Sequence, residues 1–71
     1  MKNEKIAKEL ENIRLQNGLS KSGMGRMLGI SDTSINKWET GQSLPSMFHL
    51  AKLWRIFGVD PRELIKKIEE N

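Results

Sequence analysis

Apolar residues recur along this chain at the three- and four-residue spacings of helices, not at the alternation of strands. Ile6, Leu10 and Ile13 share one face, with Lys5, Lys8, Glu9 and Glu11 mostly on the other. This predicts a helix over 3–17, with Glu4 and Lys8 placed as a favourable i,i+4 pair and Gly18 as its stop. Ser20 opens a second helix over 20–28, carrying Met24, Met27 and Leu28, and Gly29 turns the chain. A third helix, capped by Ser31 or Asp32, runs over 31–39 with Ile35 and Trp38 inside, and Thr40 and Gly41 end it. Pro45 keeps Leu44 extended. Ser46 then opens 46–57, whose apolar set is Met47, Leu50, Ala51, Leu53, Trp54 and Phe57, and Gly58 closes it. Asp60, Pro61 and Glu63 form a strong start signal for a last helix over 60–69, holding Leu64, Ile65 and Ile68. The expected fold is all-α, with five short helices in a single domain spanning 1–71.

The segment 19–41 is the most informative. Its two helices are joined by a linker too short for anything but a tight corner, which is helix-turn-helix geometry. Gly23 and Gly25 stand inside the first of the two, each costing about 1 kcal/mol against alanine. Close backbone approach would explain Gly25; the pattern offers no account of Gly23. The second helix pairs an apolar inner face with short hydrogen-bonding residues outside: Asp32, Thr33, Asn36 and Lys37. Such a face suits insertion into the DNA major groove.

These pieces together resemble the Cro/repressor helix-turn-helix family of phage and bacterial regulators. The resemblance rests on Arg14, Gly18-Leu19-Ser20, Leu28-Gly29-Ile30-Ser31, Ser34-Ile35, Trp38-Glu39 with Gly41, Pro45-Ser46, Leu50 and Gly58-Val59. It implies that 31–39 is the recognition helix and that Asp32, Thr33, Asn36 and Lys37 face base edges. It places Lys21 at a position that touches backbone or bases, and Thr40, Gln42 and Ser43 in a segment that meets phosphates. It makes Arg14 and Glu39 a partly buried ion pair between the first and third helices, and Ile35 and Trp38 core residues. Three departures stand out: Asp32 where a neutral or basic residue is usual, glycine at 23 and 25, and the bulky Trp54 and Ile56 where small residues are usual.

Side-chain chemistry sharpens these roles and leaves some open. Asp32 could accept from cytosine N4 or serve as a helix N-cap. Thr33 could meet a thymine methyl, Asn36 an adenine, and Lys37 a guanine or a phosphate. Lys21 and Arg26 have the charge and reach for phosphate, and Gln42 and Ser43 could donate through side chains or backbone N–H groups. Phe48, Trp54, Ile56 and Val59 are a candidate dimer face if they point outward; otherwise Trp54 covers the seam between the last two helices. His49 has no second ligand nearby and is expected to be exposed.

Composition narrows the class. The 71 residues carry a formal charge of +3 and no cysteine. That balance permits phosphate binding without demanding it. No disulfide framework or thiolate metal site is open to the chain. The charged amino terminus is not a signal peptide, and no apolar run approaches the roughly 20 residues that cross a bilayer. No glycine-rich phosphate loop and no nucleophile–base set is present. A cytoplasmic, non-enzymatic protein without metal, cofactor or small-molecule substrate is expected. The helix pattern predicts that it binds double-stranded DNA, as a homodimer on a pseudo-palindromic operator, and the resemblance implies that it acts as a transcriptional repressor. The alternative is a helical protein-interaction module, such as an antitoxin or an anti-repressor target, bound to a regulatory protein partner.

Overall fold

The computed structural model describes residues 3–69, so both ends of the expected 1–71 domain lie outside the described residues. Five helices follow in order: α1 (Glu4–Gln16), α2 (Lys21–Leu28), α3 (Asp32–Glu39), α4 (Met47–Phe57) and α5 (Pro61–Glu69). Each lies within a residue of its expected limits, and no strand occurs among the described residues. The limits follow from capping. The Ser20, Ser31 and Ser46 side chains accept from the backbone N–H of Gly23, Ser34 and His49, and Asp60 Oδ1 accepts from that of Arg62.

Packing runs in a closed circuit. α2 lies on α3 and α4, α1 on α3 and α5, and α4 on α5. At its centre Ile6, Leu10, Ile13, Met24, Leu28, Ile35, Trp38, Leu50, Leu53 and Leu64 are buried together. Each helix is only two to four turns long and meets its neighbours along a narrow stripe; the expected apolar sets of α1 and α3 are wholly buried, whereas part of those of α2, α4 and α5 faces outward. Met27, Met47, Ala51, Trp54 and Ile65 are exposed, whereas Leu50 and Leu53 carry the inner face of α4. Trp54, at 61% exposure, does not cover the α4–α5 seam. On α1, Lys8 pairs with Glu11 at 3.3 Å, in the i,i+3 register.

The corner between α2 and α3 depends on Gly25. A Cβ there would stand 2.6 Å from the carbonyl oxygen of Ile30 and 3.3 Å from the Ser31 carbonyl carbon. The close approach expected at this glycine is therefore to the turn entering α3, not to another helix. Gly29 supplies the left-handed step, at φ +76°, and Ile30 N–H returns to Gly25 O at 2.9 Å. A lysine that the pattern did not single out completes the corner. Lys52 reaches from α4, donates to Leu28 O at 2.9 Å, and lays its ammonium 4.8 Å from the Phe48 ring centroid.

Gly23 is less constrained. A Cβ there would lie 3.3 Å from Ser20 Oγ, the cap oxygen, and 3.5 Å from Leu19 Cδ2. Serine caps ordinarily coexist with a side chain three residues on. Gly25→Ala is expected to destabilise by about 1–3 kcal/mol through overpacking against backbone. Gly23→Ala is expected to stabilise by about 0.5–1 kcal/mol through helix propensity. Urea unfolding followed by circular dichroism measures both; equal effects would contradict this account of the corner.

Candidate nucleic-acid interface

The outward face of α3 follows from its inward one. Ile35 and Trp38 are buried, which turns Thr33, Asn36, Lys37 and Thr40 to the opposite side. Asp32, Thr33 and Lys37 are exposed and Asn36 is half-buried. Ser31 is the N-cap of α3, so Asp32 occupies the first helical position and is not the cap. Its carboxylate accepts instead from Ser22 Oγ of α2, at 3.3 Å.

Lys21 is the first residue of α2, and its Nζ donates to Asn36 Oδ1 at 2.7 Å. A cation at a helix N-terminus opposes the helix dipole, and α2 has no acidic residue in its first turn. Lys21, Asp32, Thr33 and Asn36 together line one open hollow at the α2–α3 corner. Lys21, expected among the phosphate contacts, thus stands among the residues expected at base edges. Ser22, which the sequence pattern did not mark, joins them because the corner lays the start of α2 against the start of α3. Arg26 lies one turn beyond Ser22 on the exposed face of α2, outside the hollow.

The segment after α3 is closed on itself. Gly41 takes the left-handed conformation, at φ +78°. The backbone N–H groups of Gln42 and Ser43 both donate to Lys37 O, at 2.8 and 3.2 Å. The expected backbone donation to phosphate is therefore unavailable at either residue, because those N–H groups satisfy the last turn of α3. Thr40 Oγ1 donates to Asn36 O at 2.8 Å and accepts from Gln42 Nε2 at 2.9 Å. Only the side chains of Gln42 and Ser43 remain for a ligand.

The residues 10–64 match the sequence pattern of the helix-turn-helix family. The chain belongs to that family. It is of the Cro/repressor type that the motif spacing resembles, and its general character is that of a DNA-binding regulator. No curated protein gives a significant match to the chain.

Within this helix-turn-helix protein α3 is held from behind by an ion pair. Arg14 of α1 grips Glu39 in the last turn of α3 with two bonds, Nε to Oε2 at 2.8 Å and Nη2 to Oε1 at 3.0 Å. Its Nη1 donates to Leu19 O at 2.9 Å, which ties in the α1–α2 connection. The side chains are 11% and 3% exposed. The hydrogen bond to Glu39 raises the Arg14 pKa above its ordinary value against the opposing effect of burial. The arginine also offsets a carboxylate at the negative end of the α3 dipole.

The candidate dimer face is only partly as expected. Phe48 and Trp54 are 64% and 61% exposed, and Met47 and Ala51 extend their stripe along α4. Ile56 is exposed but lies two residues from Trp54, about 200° around the helix. Val59 is half-buried against the core and unavailable to a flat face. His49 is half-buried rather than exposed. Its ring meets Trp38 edge-on at 5.4 Å, and its Nδ1 lies 2.8 Å from Ser46 Oγ.

Loss of one member of the Arg14–Glu39 pair strands the other. Arg14→Met or Glu39→Ala is expected to cost about 3–5 kcal/mol, and the apolar double variant Arg14→Met/Glu39→Leu should recover most of it. Denaturant midpoints of the three variants read this directly. A double variant no better than the singles would show that the pair is needed for more than charge compensation.

Proposed function

We propose that this protein is a sequence-specific double-stranded-DNA-binding transcriptional regulator that represses by occupying its operator. The observation that carries the reading is the convergence of Lys21, Asp32, Thr33 and Asn36, from two helices, on one open polar hollow beside the exposed Lys37. α3 enters the major groove, and Asp32, Thr33, Asn36 and Lys37 reach base edges. Arg26 and the side chains of Gln42 and Ser43 meet the phosphates, which position the helix without reading sequence, while Thr40, whose hydroxyl donates to Asn36 O, holds the end of α3 beside them. Residues 1–71 act as one helix-turn-helix domain, in the cytoplasm and without a cofactor. A single copy reads few base pairs, and a two-fold dimer on half-sites about one helical turn apart gives a pseudo-palindromic operator.

A second reading, a module that binds a regulatory protein, is favoured by the exposed stripe Met47, Phe48, Ala51 and Trp54 on α4. Salt separates the two. DNA affinity falls with a log–log slope of about −0.9 per phosphate neutralised, whereas an apolar protein contact is far less sensitive.

Selection from a random duplex pool at low and moderate salt is expected to enrich a pseudo-palindrome, with steep salt dependence. Weak binding that salt abolishes, with no enrichment, would leave the protein-binding reading in place. On the enriched site, Lys37→Ala is expected to cost about 1–3 kcal/mol and to relax preference at one base pair. Equal weakening on all sequences would make Lys37 a phosphate contact instead.

A further inference from the structure

We infer that the hollow at the α2–α3 corner selects a G·C base pair, with Lys21 and Asn36 as paired donors and Asp32 as the acceptor. The inference rests on the DNA-binding reading above and names the base pair that this part of the surface prefers.

The Lys21–Asn36 bond decides what the asparagine can offer. An asparagine reads adenine with both ends of its amide, accepting from N6–H2 at Oδ1 and donating to N7 from Nδ2. Here Oδ1 already faces the Lys21 ammonium at 2.7 Å. An adenine amino group brought to that oxygen would meet a cation and its N–H groups. The pair is left with donors: the remaining ammonium N–H groups and the two N–H of Nδ2. Donors side by side suit guanine, whose N7 and O6 are both acceptors.

Asp32 supplies the opposite character in the same hollow. It is released from capping, because Ser31 does that work. One carboxylate oxygen, Oδ2, accepts from Ser22 Oγ, which holds the group in place. Oδ1 stays open as an acceptor. Asp32 and Asn36 are one turn apart on α3, so acceptor and donors are offset by about 5.4–6 Å along the helix. The surface therefore presents donor, donor and acceptor. Across the major groove a G·C pair shows acceptor, acceptor and donor, from guanine N7, guanine O6 and cytosine N4. An A·T pair shows acceptor, donor and acceptor, followed by a methyl group, and pairs like with like at two of these places. The carboxylate also repels phosphate, so Asp32 is tolerable at this surface only where an amino group meets it.

The test takes duplexes selected by the whole chain and replaces each G·C pair in turn with A·T, measuring affinity at fixed salt. One G·C position is expected at which replacement weakens binding about tenfold or more. Replacing that guanine by 7-deazaguanine, which lacks only the N7 acceptor, should weaken binding at the same position. In Lys21→Met and in Asp32→Asn the discrimination at this position should collapse toward unity while other positions keep theirs. Both residues lie outside the core, and thermal melting of each variant checks that it is folded. Lys21→Met weakening every duplex by the same factor, with Asp32→Asn leaving the position unchanged, would overturn the assignment and make Lys21 a backbone contact. Selection of A·T at the position governed by these residues would overturn it equally. Absence of any enriched sequence in the wild-type protein would remove the DNA-binding reading as well, so the two failures are distinct.

Discussion

The contact between Gly25 and the Ile30 carbonyl sets the geometry on which the rest of the surface depends. A side chain at position 25 would stand 2.6 Å from backbone that cannot rotate away. Its absence lets the turn fold tightly against α2, so that the first turns of α2 and α3 lie side by side. Only then do Lys21 and Asn36 meet at 2.7 Å and Ser22 and Asp32 at 3.3 Å. The glycine costs helix propensity in the middle of an eight-residue helix, and the corner it permits is where the polar residues converge.

Electrostatics then organises the two ends of α3 differently. At its C-terminus Glu39 opposes the helix dipole and is answered by Arg14, in a nearly dry setting that also fastens the α1–α2 connection. At its N-terminus the cap is a neutral serine, and Asp32 in the first turn agrees with the dipole. Lys21, at the start of α2, sits against that helix's dipole, and it is also one of the four residues that line the hollow. Residues that break a local rule while sharing a surface are where function is most often found.

Much of the fold was legible in the chain because its punctuation is local. Serine and aspartate caps, glycine stops and Pro61 each act within a turn, so helix limits could be read within a residue. Gly25 was recognisable as a point of close approach for the same reason, although its partner was not. Contacts between helices were harder. The periodicity of α4 contains two apolar faces, and only the placement of its neighbours decides that Leu50 and Leu53 go inward while Met47, Phe48 and Trp54 stay out. Lys52 capping Leu28 and His49 against Trp38 join residues far apart in sequence and have no local signature. Asp32 was ambiguous because serine and aspartate are nearly equal caps; the backbone entry into α3 settled it on Ser31. The Lys21–Asn36 bond could not be read, since nothing in a spacing of fifteen residues distinguishes a lysine that leaves toward phosphate from one that folds back.

The closed segment after α3 has a consequence for how the surface meets a ligand. With the Gln42 and Ser43 amides committed to Lys37 O, the main chain beyond α3 is already closed on itself. What must be ordered on association is a set of side-chain rotors, chiefly the exposed arms of Arg26 and Lys37, whereas Lys21 and Gln42 already hold bonds to Asn36 and Thr40. The entropy lost per immobilised arm is about 0.5–1.5 kcal/mol, and no cost of folding the backbone is added to it. Association then resembles a rigid body extending flexible arms, so encounter can be fast and reversible while selectivity rests with the few groups held in place beforehand.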